Sequence, residues 1–195
     1  MIVTDLVNQY SYDQLLLWDL VPSLTINHRY LLRYHYANNL SPINAAIMGI
    51  IIESAIVTQL VSPIDHDLIL ERHNPGYMLD INLPTFVEMV DQCVEYLHSI
   101  MGSTRSGSPH YPCSYGTISG VVDYHQFDHV VEIKSGYPYP GHLRRTIVQG
   151  LIYCAILKCR YLTVAYPVYG YYDTYDLKGW NPYPLLHFLD HQSLA

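Results

Sequence analysis

Residues 43–61 constrain this chain more than any other stretch, because they are apolar nearly all round and are interrupted near their middle by Glu53. Ser41 and Pro42 supply an N-cap and a first-turn proline, the apolar run continues to about Ser62, and Pro63 stops it, so the segment reads as one helix. A helix that is hydrophobic on every side either spans a membrane or lies inside a core. A carboxylate at a bilayer centre costs roughly 3 kcal/mol, and Asn44 and Gln59 add to that, so a buried core helix is expected and a membrane partner is not. A helix of this kind has to be covered on several sides. A single domain over residues 1–195, half of them hydrophobic, is large enough to do so.

The remaining pattern predicts helices first and strands later. Apolar residues recur at helical spacing over residues 12–20 and 26–36, giving a helical N-terminal part to about residue 62. A short strand is expected near residues 68–70, and an amphipathic helix over 84–101. Residues 102–116 are dense in Gly, Ser and Pro and read as a long loop. Two strand-like runs, 117–124 and 129–133, are joined by a short polar connection and predict a hairpin. A helix over 142–158 and a strand over 161–168 follow, and the Tyr- and Pro-rich tail from about 170 to 195 reads as irregular, with one short helix near 185–189.

The chemistry gathers on the hairpin. Asp123 is followed after eight residues by Glu132-Ile-Lys134. Alternation along a strand puts Glu132 and Lys134 on one face, and pairing of the two strands brings Asp123 toward the same spot. Two converging carboxylates form a hard, oxygen-rich site of the kind Mg²⁺ or Mn²⁺ prefers. A lysine beside them can stabilise charge developing on a phosphoryl group or align an attacking water.

Asp123, Glu132 and Lys134 at this spacing resemble the motif of the PD-(D/E)XK nuclease superfamily. Two further patterns, in the same order along the chain, are similar to its RecB-like and lambda-type exonuclease branch: Gly49-x-x-x-Glu53 upstream and Gln149-x-x-x-Tyr153 downstream. The resemblance covers residues 49–168. It implies an α/β fold with a restriction-endonuclease-like core, a central mixed β-sheet flanked by helices. It also implies a divalent-metal-dependent deoxyribonuclease, acting as an exonuclease or a single-strand endonuclease. Asp123, Glu132 and Glu53 would serve the metal, Mg²⁺ or Mn²⁺, Lys134 would serve the nucleophile, and Gln149 and Tyr153 would position the lysine and the substrate. The chain departs from the pattern in carrying Val122 where the superfamily's eponymous proline stands, and in placing His28 and His35 too far upstream to supply the histidine often found in the first helical motif. Cys93, Cys113, Cys154 and Cys159 form no clustered set, so no iron-sulfur cluster is expected. His125 and His129, with Asp128 between them, lack a matching second pair for zinc and are expected to make surface or loop contacts.

Charge narrows the partner surface. Ten Lys and Arg against seventeen Asp and Glu exclude a protein coated in nucleic acid over its whole surface, so contact must be local. Arg29 and Arg33, one helical turn apart, and Arg144 and Arg145, near the start of the helix carrying Gln149, are the candidate phosphate contacts. Tyr137 and Tyr139 are the candidate base-stacking residues. The expected partner is DNA, as single strands or duplex ends, and a homo-oligomer is compatible with the sequence. Cysteines without a disulfide spacing and a start unlike a signal peptide lead to an intracellular expectation, cytoplasmic or nuclear, or a host-cell interior for a viral protein. The alternative is a non-catalytic nucleic-acid-binding or assembly protein that keeps the nuclease fold.

Overall fold

The computed structural model describes residues 1–25, 42–74, 79–102 and 106–192. Helices α1 (Val3–Gln9), α2 (Tyr12–Leu17), α3 (Pro42–Val61), α4 (His66–His73) and α5 (Leu83–Met101) precede strands β1 (Ser108–Tyr115), β2 (Ile118–Gln126) and β3 (His129–Ile133). Helix α6 (Pro140–Leu157), strands β4 (Tyr161–Tyr166) and β5 (Tyr171–Asp176), and helix α7 (Tyr183–Gln192) complete the chain. The strands form one mixed sheet in the order β1-β2-β3-β4-β5. Among the described residues its only parallel pair of named strands is β3 with β4, and α6 is the crossover between them.

Alternating side chains of the sheet feed two cores. Val130, Leu162 and Val164 face a cluster built with α1, α2, α6 and α7, while Val131, Ile133 and Ala165 face one built with α3, α4 and α5. The result is an α/β fold with helices on both faces of a mixed sheet. Helix α3 is long and apolar enough over Asn44–Val61 to cross a membrane by length and composition. In the fold one face of it packs into the core, with Ile51, Ile52, Ala55 and Ile56 fully buried and Gln59 donating to Asp91 of α5 at 2.6 Å, while Ala45, Ala46 and Ile50 are exposed, so the helix is buried on one side and not all round as expected.

Several elements differ from the sequence expectation. The stretch read as a long loop contains β1. Its Pro109 and Pro112 lower strand propensity, but β1 is an edge strand, where a missing backbone N–H is tolerated. Residues 68–70 belong to α4, a helix started by Asp65, whose carboxylate accepts from Asp67 N and Leu68 N, and fixed by burial of Ile69 and Leu70. The tail is ordered: β5 pairs with β4 over six residues, and α7 docks through Leu185, Leu186 and Leu189. Helix α2 ends at Leu17, earlier than the periodicity suggests. The helix expected over residues 26–36, with Arg29, Arg33, His28 and His35, lies outside the described residues.

Candidate active site

The β2–β3 ladder runs only from Gln126–His129 to Tyr124–Val131. Beyond it the strands splay, and the N–H of Ile133 that faces β2 is taken by the Asp123 carboxylate, with Ile133 N donating to Oδ2 at 2.7 Å. The alternation of β2 also breaks at Asp123, since Val122 lies in the α6-side core and Tyr124, two residues on, in the opposite one. On β1 the residue facing this break is His110, held at φ 48°. Pro109 pairs with Tyr124 and Tyr111 with Val122, while His110 and Asp123 make no ladder pair. Irregularities of this kind re-aim a side chain beside a functional site, and here the re-aimed side chain is the Asp123 carboxylate.

Lys134 joins the two acids. Its Nζ donates to Asp123 Oδ2 at 3.0 Å and to Glu132 Oε2 at 2.8 Å. Glu132 is fully buried, and its other oxygen, Oε1, has no hydrogen-bond partner among the described residues. Burial, and then the Asp123 charge, raise the Glu132 carboxyl well above the usual range. Burial opposes the Lys134 ammonium, but Glu132 and Asp123 outweigh it and hold the lysine charged.

Glu53 enters from α3. Burial and the Asp123 charge push it up to about 7, with Lys134 pulling the other way. Gly49, one turn earlier, makes this approach possible: a Cβ there would stand 2.9 Å from Ser135 Oγ, in the segment just after Lys134. The structure therefore brings Glu53, Asp123, Glu132 and Lys134 into one electrostatic cluster of three carboxylates and one ammonium.

Tyr153 and Gln149 flank that cluster on α6. Gln149 Nε2 donates to Tyr153 OH at 3.4 Å, and burial followed by the Glu132 charge raises the phenol to about 12. The ring lies over Gly120 of β2, where a Cβ would meet Tyr153 Cε1 at 2.6 Å. A cleft of about 640 Å³ opens beside these two residues and is bounded across from them by Cys113, Ser119 and Val121; the acids themselves do not line it.

No family model, curated protein or solved structure matches this chain. The chemistry of the cluster rests on its own donors. Carboxylate oxygens, one of them buried without a partner, suit a hard divalent cation in kind. Among the described residues, no three His, Cys, Asp or Glu side chains stand close enough to form a ready metal site. The position between the Asp123 and Glu132 carboxylates is held by the Lys134 ammonium.

The proposed phosphate and stacking contacts are placed differently. Arg144 and Arg145 lie in the second turn of α6, past its free backbone N–H groups. Arg144 is paired with Asp13 of α2 at 2.6 Å, and Arg145 reaches Tyr139 OH at 3.3 Å. Tyr139 stacks on His142, and Tyr137 meets Tyr169 edge to face, each leaving about half its surface exposed. His129 is a correction. It is buried, not a surface contact, and its Nε2 lies 2.7 Å from Thr163 Oγ1. His125 packs against Tyr111.

Two neighbours of the site were missed from sequence. His110 Nδ1 stands 3.4 Å from Glu53 Oε1, carried there by the unrecognised edge strand. His142 packs against Gly136, Tyr139 and Tyr166, and its pKa is lowered by burial first, then by the Arg145 charge and last by that of Lys134, with its contact to the Tyr137 carbonyl opposing. Its position one turn before Thr146 on the Gln149 helix was the available signal.

Proposed function

We propose that this chain is a divalent-metal-dependent nuclease of PD-(D/E)XK type that hydrolyses phosphodiester bonds in DNA, with single strands or duplex ends as the substrate class. The observation that carries the reading is a buried acid-rich cluster, Asp123 and Glu132 bridged by Lys134, in which a fully buried carboxylate oxygen lacks a partner. Burying more acid than the neighbouring base can neutralise is unfavourable, and an added cation would offset it.

In this reading Asp123, Glu132 and Glu53 would hold Mg²⁺ or Mn²⁺, which when bound supplies Lewis acidity at the phosphoryl oxygens. Lys134 leaves its bridging position to donate to the attacking water or to the developing phosphorane charge. Asp123 stays fixed by the Ile133 N–H, which holds one of its oxygens in place. Tyr153 and Gln149 wall the site and orient groups entering from the cleft.

The test is a pair of variants. Lys134→Ala is expected to bind Mn²⁺ and to lose cleavage by about 10² to 10³ in rate. Glu132→Ala is expected to lose metal affinity as well as cleavage. Cleavage by Lys134→Ala at the wild-type rate, in matched Mg²⁺ and Mn²⁺ titrations, would exclude this site as catalytic. A second reading, a non-catalytic nucleic-acid-binding or assembly protein, draws on the same lysine bridge, which is complete without a metal. That reading expects DNA binding in chelator and intact DNA after Mg²⁺ or Mn²⁺ is added.

A further inference from the structure

We infer that a second pocket, remote from the carboxylate cluster, holds one nucleotide unit of a single-stranded nucleic acid, with its phosphate on Lys158 and Lys178 and its base against Trp180 and Tyr183. The inference stands on the pocket's own chemistry and does not require the nuclease reading.

The pocket, about 360 Å³ in volume, lies where the end of α6, the entry to β4 and the segment between β5 and α7 meet, and its lining includes Lys158, Arg160, Lys178, Trp180 and Tyr183. In a chain with ten Lys and Arg against seventeen acids, three cationic side chains around one small cavity, against the two acids Asp176 and Asp128 that act on them, reverse the overall balance locally. Arg160 is neutralised by its bidentate pair with Asp176, at 2.8 and 2.7 Å. Neither lysine makes a direct ion pair with a carboxylate among the described residues, and with Asp176 acting on Lys178 as well as Arg160 and Asp128 acting on Arg160, an excess of one positive charge remains for an anion.

The aromatic partners are positioned as well. Trp180 is fixed by its indole N–H donating to Leu20 O at 3.3 Å. Tyr183 is half exposed, with Lys158 Nζ 6.0 Å from its ring centroid. Tyr183 offers an exposed ring beside Lys158, with the half-buried Trp180 packed next to it against the core, and a cation beside an exposed aromatic face is a combination that holds a phosphate and a stacked base without reading sequence.

The backbone sets where the two lysines sit. The residue after α6 adopts the left-handed conformation, φ 58° and ψ 36°, where glycine is the usual occupant of a helix end, yet the chain has Lys158 there. Gly179, at φ 86°, makes the facing turn between Lys178 and Trp180.

The pocket lies at the other end of the sheet from the acids. Tyr161 pairs with His129 and Val164 with Glu132, so Arg160 is four residues, roughly 13 Å, along the strand from the level of Glu132.

The experiment uses the full chain with Trp18→Phe, which leaves Trp180 as the only one of its two indoles, and titrates hexathymidylate or thymidine 5′-monophosphate in EDTA. Saturable quenching of Trp180 is expected, at least tenfold tighter for the hexamer than for the monophosphate. Lys158→Gly with Lys178→Ala is expected to weaken hexamer binding at least tenfold and to reduce the slope of log K against log salt by about 1. Glycine suits the left-handed position, so this variant is expected to unfold no earlier than its parent. Equal affinities for the two ligands would overturn a strand in favour of a free nucleotide. Absence of saturable quenching, or quenching unchanged in the double variant, would overturn the site. Because the titration runs without divalent metal and reads Trp180, its failure is distinct from a failure of cleavage at Lys134.

Discussion

Arg160 and Asp176 meet on the surface at 2.8 and 2.7 Å, each with somewhat under half of its side chain exposed. Lys134 meets Asp123 and Glu132 at similar distances, 3.0 and 2.8 Å, but Glu132 is wholly buried and Glu53 adds a third acid to the group. The surface pair has the better geometry, two parallel hydrogen bonds, and Arg160 holds the Asp176 carboxyl down at about 2. The buried group has the worse balance, and its acids Glu53 and Glu132 are raised rather than lowered. Water explains the contrast: it screens the exposed pair and makes it nearly dispensable, while its exclusion makes each unmatched charge in the cluster expensive. An arrangement that taxes folding in this way is consistent with one kept for chemistry.

The largest effect should come from unbalancing the cluster further. Lys134→Ala, measured by urea unfolding at pH 8 in chelator, is expected to lower stability by about 4 kcal/mol, because two buried carboxylates lose the ammonium that bridges them. Millimolar Mg²⁺ should restore part of that loss through binding to the folded state alone. A variant as stable as wild type in chelator would break the contrast between the two contacts.

His129 tests whether burial alone, without an acid partner on the ring, produces the same sensitivity. Burial lowers its pKa to about 4, Asp128 opposing. The unfolded imidazole takes a proton below about 6.5 and the folded one does not until about 4, so wild-type stability should fall by up to about 3 kcal/mol as pH drops across that interval. His129→Gln should flatten this fall in a pH series of unfolding midpoints, and an unchanged slope would assign it elsewhere.

Glu53 should act with the opposite sign in an overlapping window. Its carboxyl titrates near 7 in the fold and near 4.5 when exposed, so the unfolded chain sheds its proton first and stability is lost as pH rises from about 4.5 to 7. Glu53→Gln should therefore stabilise the metal-free protein at pH 7 relative to pH 4.5, by about 2 kcal/mol after allowance for partial exposure. A gain independent of pH would count against the raised carboxyl. The smallest effect belongs to the surface pair: Asp176→Asn should leave the unfolding midpoint at neutral pH unresolved from wild type, and a large shift would show that exposure does not separate the two contacts.

How far the sequence could be read depended on the range of the forces involved. The proline stop after α3, the hairpin of β2 and β3, and the long helix α6 follow from periodicity and turn residues within a few positions of one another. Strand alternation likewise put Glu132 and Lys134 on one face, and i, i+4 spacing brought Gln149 to Tyr153. β1 was hidden because its prolines are acceptable only at a sheet edge, a fact about its neighbours rather than its residues. β5 was hidden because a Tyr-rich segment becomes a strand when β4 is there to pair with it.

From the amino-acid order alone came the all-round apolar helix, the α/β alternation of its second half and the acids and lysine of the candidate site. Tertiary structure decided that Asp123 turns into the splay between β2 and β3 to accept the Ile133 N–H, that His110 faces Glu53, and that Arg144 is drawn to Asp13 across 131 residues of chain. Local conformation follows from sterics and hydrophobic spacing among near neighbours, which the sequence displays directly. The burial of a charge and the identity of its partner depend on segments brought together only when the two cores close over the sheet.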